Sequence, residues 1–168
     1  MTMLDAFHSA VVCGGHRPFL IYFDSELTFG EVDRQSDAFA VALADKGFGR
    51  GDRIALYLQN VPQYVLALLA AWKLGGVVVA INPMLTPREV AKLLADSTPT
   101  VLVALDELHS SGLADVLRSS SVERVITTSP LDFQSTGDER VLPAQRIATQ
   151  VRPGVAVMQP QISKARCG

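Results

Sequence analysis

With 168 residues, 48% of them hydrophobic, the chain has the length of one ordinary domain and enough apolar material for a core. A net charge of −2, with 19% charged residues and no block of Lys and Arg, gives no electrostatic footprint for nucleic acid, so no nucleic-acid partner is expected. Its two cysteines, Cys13 and Cys167, stand far apart and outside any Cys-x-x-Cys pair, which leaves neither a disulfide framework nor a zinc ribbon and points to a reducing cytoplasm.

Asp5 occupies the region where a signal peptide needs basic residues, and the Val11-Val12 pair runs at once into Gly14-Gly15-His16-Arg17, so no export signal is expected. Phe19 to Phe23 is a short β-rich run. Asp24-Ser25-Glu26 supplies turn chemistry before a second short strand at Leu27, which together predict an N-terminal hairpin. Thr28 and Glu31 have the spacing of a capping box, and a helix is expected from about Phe29 to Lys46, burying Val32, Phe39 and Leu43 and closing on Gly47 in the left-handed region.

Arg53 to Leu58 is the near-continuous apolar run of a strand covered on both faces. Asn60 and Gln63 repeat the capping-box spacing, with Pro62 in the first turn, where a missing N–H costs nothing. The helix that follows carries Val61, Tyr64, Val65, Leu68, Leu69 and Trp72 at helical spacing, which predicts that they form its buried stripe. The apolar stretch from Tyr64 to Trp72 is about half of the ~20 residues a membrane-spanning helix needs, so no membrane span is expected.

Gly75-Gly76 ends that helix. Val77 to Ile81 is a β-branched strand expected in the sheet interior. Thr86, Pro87 and Glu89 mark a third helix start, carrying Val90, Leu93 and Leu94 to about Ser97. A strand from Thr100 to Ala104, a helix from about Glu107 to Arg118 and a strand from Arg124 to Thr127 complete the pattern. Strands alternating with helices of this length imply βαβ units: a three-layer α/β fold, with a mostly parallel sheet and flanking helices. Residues 1–130 are expected to form this α/β subdomain, and residues 131–168 an irregular surface loop and tail.

Three blocks in this order resemble the N-terminal part of the adenylate-forming superfamily, in particular the fatty-acid–CoA ligases (acyl-CoA synthetases). They are Leu27-Thr28-Phe29-Gly30-Glu31-Val32, then Gly51-Asp52-Arg53-Ile54-Ala55 through Asn60, then Leu74-Gly75-Gly76-Val77-Val78-Val79-Ala80-Ile81-Asn82-Pro83. Together with Thr86-Pro87-Arg88-Glu89 they lean toward the acyl-CoA ligase branch, and the stretch from Leu27 to Ala104 covers nearly half the chain. The resemblance implies the N-terminal subdomain of the acyl-CoA synthetase fold. It also implies an activity in which ATP and Mg²⁺ activate a carboxylic acid as an acyl-adenylate, which then passes to the thiol of coenzyme A.

The departures from that family concern its chemistry. Its ATP phosphates are held by a loop of the form T-[SG]-G-T-T-G-x-P-K-G, whose glycines let backbone N–H groups approach the phosphates and whose lysine offsets their charge. Val155-Ala156-Val157-Met158-Gln159 resembles the strand leading into that loop, but Pro160 to Gly168 replace the loop with unrelated residues. A frameshift or early stop near Gln159 is expected, and translating the downstream DNA in the other two frames tests it. No catalytic, cofactor-binding or metal-binding residue is assigned to this chain, and no cofactor is expected to bind it alone. ATP, Mg²⁺ and coenzyme A are implied only for the full-length family.

Individual residues read as structural. Gly75-Gly76 closes a helix and lacks the spacing of a dinucleotide fingerprint, and Asn82-Pro83 reads as a turn beyond a strand end. His8, His16 and His109 have no partner at metal-ligand spacing. Lys73 suits a helix C-terminus, Asp52-Arg53 a strand entry and Asp96-Ser97 a helix end. Three readings remain open: a ligase fragment inactive alone, a non-catalytic interaction module that joins the remainder of a split ligase or self-associates, and a stand-alone nucleotide-binding domain.

Overall fold

The computed structural model describes residues 1–107 and 113–134, with the backbone of 155–157. Its first element, α1 (Met3–Gly14), has no counterpart among the expected elements. Thr2 and Asp5 start it: the Thr2 N–H donates to Asp5 Oδ2 at 2.7 Å and the Asp5 N–H donates to Thr2 Oγ1 at 3.1 Å. These bonds satisfy end groups that an α-helix otherwise leaves open, and they hold the Asp5 carboxyl below its usual pKa.

Strands β1 (Pro18–Tyr22) and β2 (Ser25–Thr28) form the expected hairpin, an antiparallel two-stranded sheet. Helix α2 (Phe29–Ala44) opens on the predicted capping box, in which the N–H and hydroxyl of Thr28 both donate to Glu31 Oε2 at 2.8 Å. Val32, Phe39 and Leu43 are buried as expected, and Gly47 lies at φ +87° past the helix end.

The remaining elements are β3 (Arg53–Tyr57), α3 (Pro62–Lys73), β4 (Val77–Ala80), α4 (Pro87–Ser97), β5 (Val101–Leu105), α5 (Leu113–Arg118), β6 (Arg124–Thr128) and β7 (Val155–Val157). Residues 108–112, inside the helix expected from Glu107, lie outside the described residues. The strands form one parallel sheet in the order β4-β3-β5-β6-β7. From β3 the chain steps outward to β4, then crosses back past β3 to β5 and continues to β6. Right-handed crossovers in opposite directions place their helices on opposite faces. On one face Ile54, Leu56, Val101 and Val103 pack against Ala67, Ala70 and Ala71 of α3, with Phe39 and Leu43 of α2 in the same cluster. On the other, Ala55, Tyr57, Leu102 and Ala104 pack against Val90 and Leu94 of α4 and Leu113 of α5. The result is the predicted three-layer α/β fold.

Three expectations are corrected. Among the described residues β4 is an edge strand, not an interior one, because the crossover to β5 returns on the far side of β3. A β-branched run reports a fit to a pleated surface and says nothing of the number of neighbouring strands. The α3 stripe is also different: Val61 and Leu69 are buried, Tyr64, Val65, Leu68 and Trp72 only half-buried, and the alanines meet the sheet. A single-stripe reading presumes one buried face, whereas α3 has the sheet on one side and the N-terminal layer on the other, where Leu66 and Leu69 join Phe7, Leu27 and Val32. Finally, the loop expected to lie on the surface from Leu131 begins with a turn that buries Phe133 in that same cluster. The rest of that loop, to residue 154, lies outside the described residues.

Candidate functional site

In an open parallel sheet, ligands bind beyond the carboxyl ends of the strands where the winding direction reverses. Here that point lies between β3 and β5. The sheet brings to this end Gln59 and Asn60 after β3, Asn82-Pro83 after β4, Asp106 after β5, and Thr128 and Ser129 at the end of β6.

Gln63 is the main surprise at this end. Instead of completing a capping box with Asn60, it is fully buried, and α3 starts from Val61 with no side-chain cap. Its Nε2 donates to Thr128 Oγ1 at 2.9 Å and to the Ser129 carbonyl at 2.8 Å. The Thr128 hydroxyl in turn donates to Asp132 Oδ2 at 2.8 Å, which also accepts the Ser129 N–H at 2.9 Å. Gln63 therefore links the start of α3 to the end of β6. The only hint in the sequence is a glutamine in the first turn of a helix whose only charged residue is Lys73 at its end.

The neighbouring loop is held by Tyr57, whose hydroxyl donates to the carbonyls of Pro83 and Leu85 at 3.4 and 3.3 Å and whose pKa is raised by burial. Asn82 Oδ1 accepts the Met84 N–H at 2.9 Å, so the Asn82-Pro83 segment forms a turn. Among the described residues, the polar groups named at this end are amides and hydroxyls, with carboxylates at Asp106 and Asp132. Phosphates need a cation and several converging N–H groups, and α3 opens on Pro62, which has none to give. Among the described residues, the groups named here do not make such a site.

The other singled-out residues are dispersed. Gly75 ends α3 at φ +72°, and a Cβ on Gly76 would lie 2.6 Å from the Phe48 ring, so this glycine pair closes a helix against packed neighbours. Lys73, last in α3, spends its ammonium on α2: Nζ donates to Asp33 Oδ1 at 2.7 Å, Asp37 Oδ1 at 2.6 Å and Ser36 Oγ at 2.9 Å. Asp52 Oδ2 accepts the Gly49 N–H at 2.8 Å, and Arg53 reaches Thr98 Oγ1 at 3.0 Å. The Ser97 hydroxyl donates to the Leu93 carbonyl at the end of α4. His8, His16 and Cys13 are exposed on or just after α1, while His109 and Cys167 lie outside the described residues. Among the described residues no group of three His, Cys, Asp or Glu side chains is placed to hold a metal ion, and no helix is long and apolar enough to cross a membrane.

The sequence profile of the AMP-binding enzyme family matches residues 7–163. The chain belongs to that family. Within it, a long-chain-fatty-acid–CoA ligase of Haemophilus influenzae is 36% identical over 137 residues, which is 81% of this chain and 24% of that protein. A ligase of the same description from Escherichia coli is 32% identical over 142 residues, covering 84% and 25%. The chain thus spans about a quarter of the length of the curated relatives it matches. Among solved structures, acetoacetyl-CoA synthetase from Streptomyces lividans superposes with a TM-score of 0.73 at 25% identity, over 92% of this chain and 24% of that one. A benzoate CoA ligase from Burkholderia xenovorans, at 24% identity, 78% and 26% coverage and a TM-score of 0.71, shares the fold.

Proposed function

We propose that this chain is the N-terminal scaffold of a fatty-acid–CoA ligase and does not adenylate an acid by itself. The observation that carries the ligase reading is the family match from residue 7 to 163 together with long-chain-fatty-acid–CoA ligase relatives above 30% identity. In the complete enzyme the activity would consume ATP, with Mg²⁺, to make an acyl-adenylate and then an acyl-CoA thioester, in the cytoplasm. Residues 1–130 would be the α/β subdomain and 131–168 an irregular loop and tail that adds Phe133 and β7 to it.

Two features support inactivity of the separate chain. The sequence after Gln159 lacks the glycine-rich phosphate loop, and among the described residues the groups named at the carboxyl end of the sheet include no cation for a triphosphate. Pyrophosphate exchange with purified chain, ATP, Mg²⁺ and fatty acids of several lengths tests this. No exchange above background is expected, and robust turnover that needs both ATP and acid would overturn it.

A further inference from the structure

The outer edge of β4 carries an inference independent of the ligase reading. The Val77 N–H donates to the Asp52 carbonyl at 2.8 Å and the Ile81 N–H to the Leu56 carbonyl at 2.9 Å. Backbone groups alternate along a strand, so the odd-numbered residues face β3 and the N–H and C=O of Val78 and Ala80 face outward. Among the described residues, β3 is the only strand paired with β4.

Soluble proteins guard such an edge with very short strands, charges, proline or a bulge. β4 is short, at 4 residues, but has none of the other three. It reads Val-Val-Val-Ala, its register from Arg53↔Val77 to Leu56↔Ala80 is unbroken, and Val77 is 48% exposed. An uncharged strand whose open groups sit two residues apart is self-complementary under a two-fold axis. A net charge of −2 adds little repulsion between copies.

We propose that β4 pairs antiparallel with β4 of a second copy. Val79 then lies opposite itself, and Val78 and Ala80 exchange both of their hydrogen bonds with Ala80 and Val78 of the other copy. The two sheets become one continuous sheet. Pairing of such short strands gives a contact below the usual interface size, so the dimer is reversible and concentration-dependent.

Sedimentation velocity from about 5 to 200 μM, a range chosen for weak association, tests this with two variants. Ala80→Pro deletes an outward N–H that the fold does not use, and proline is tolerated on an edge strand in that orientation. It should weaken association about 100-fold, because one donor is lost from each copy, while leaving the circular dichroism and the urea midpoint unchanged. Val77→Lys adds an edge charge at an exposed position and should act in the same direction, and it decides the matter if the proline variant does not fold. A chain that stays monomeric over the whole range, or a dimer that a folded variant retains at wild-type affinity, overturns the proposal.

Discussion

The parallel sheet and the N-terminal layer of α1, the hairpin and α2 are held together by different means. In the sheet, all five residues of β5 are buried and so are four of the five in β3, because helices cover both faces. The N-terminal layer buries far less of each element. Phe7, Leu27 and Val32 go inside, the Phe7, Phe19 and Phe29 rings pack with centroids 4.4 to 6.0 Å apart, and the hairpin leaves Ile21 76% exposed. A two-stranded hairpin is marginal alone, so this layer depends on α3, which offers its alanines to the sheet and Leu66 and Leu69 to the layer. The sheet is the part that can hold its fold when the layer is loosened, and the converse does not follow.

Two substitutions separate the regions. Leu102→Ala, in the centre of β5, removes a fully buried side chain and should cost about 4 kcal/mol. Urea unfolding should show it as a loss of the whole cooperative transition, with every protected amide exchanging faster. Phe7→Ala should cost about 3 kcal/mol of local stability, with faster hydrogen exchange confined to α1, the hairpin and α2. Equal acceleration in β3 and β5 would show that sheet and layer unfold as one unit.

The same contrast explains what the sequence made legible. Strands β3 and β5 are readable because burial on both faces writes an apolar run, and α2 and α4 are readable because Thr28/Glu31 and Thr86/Glu89 are local signals whose partners lie three residues away. Helix α1 carried an equally local signal in Thr2 and Asp5, but its exposed Met3, Val12 and Cys13 blur the apolar stripe. What could not be read depends on contacts distant in sequence. The edge position of β4 is set by a crossover, the two-sided burial of α3 by a layer built from residues 1–44, and the burial of Gln63 by residues 128 and 129. At the carboxyl end of the sheet the family blocks identified the kind of protein, yet no local motif foretold the Gln63 network.

Smaller effects test the joint between the regions. Lys73, its side chain 10% exposed, clasps Asp33 and Asp37 of α2 from the end of α3. Lys73→Met keeps most of the apolar stem but leaves Asp33, at 25% exposure, without its cation. The expected loss is about 2 kcal/mol, seen as a lower urea midpoint. A neutral result would place the hold of α2 on α3 in Phe39 and Leu43 alone.

The smallest effect is the acid response of the α2 cap. Hydrogen bonds from the Thr28 N–H and hydroxyl hold the Glu31 carboxyl below its ordinary pKa. Because the folded value is depressed, the contribution of Glu31 is complete above the unfolded value of about 4.3 and is lost as pH falls through the folded one. Thr28→Ala should therefore cost about 1 kcal/mol at neutral pH and less in acid, where the bond from the Thr28 hydroxyl to the carboxylate is weakened while Thr28 Oγ1 still accepts the Glu31 N–H at 3.2 Å. Stability measured from pH 7 to pH 3 should show the two curves drawing closer below pH ~4.3 without meeting. If the gap instead stays constant, Thr28 acts only as an acceptor for the Glu31 N–H and the carboxylate is not its partner in holding the layer.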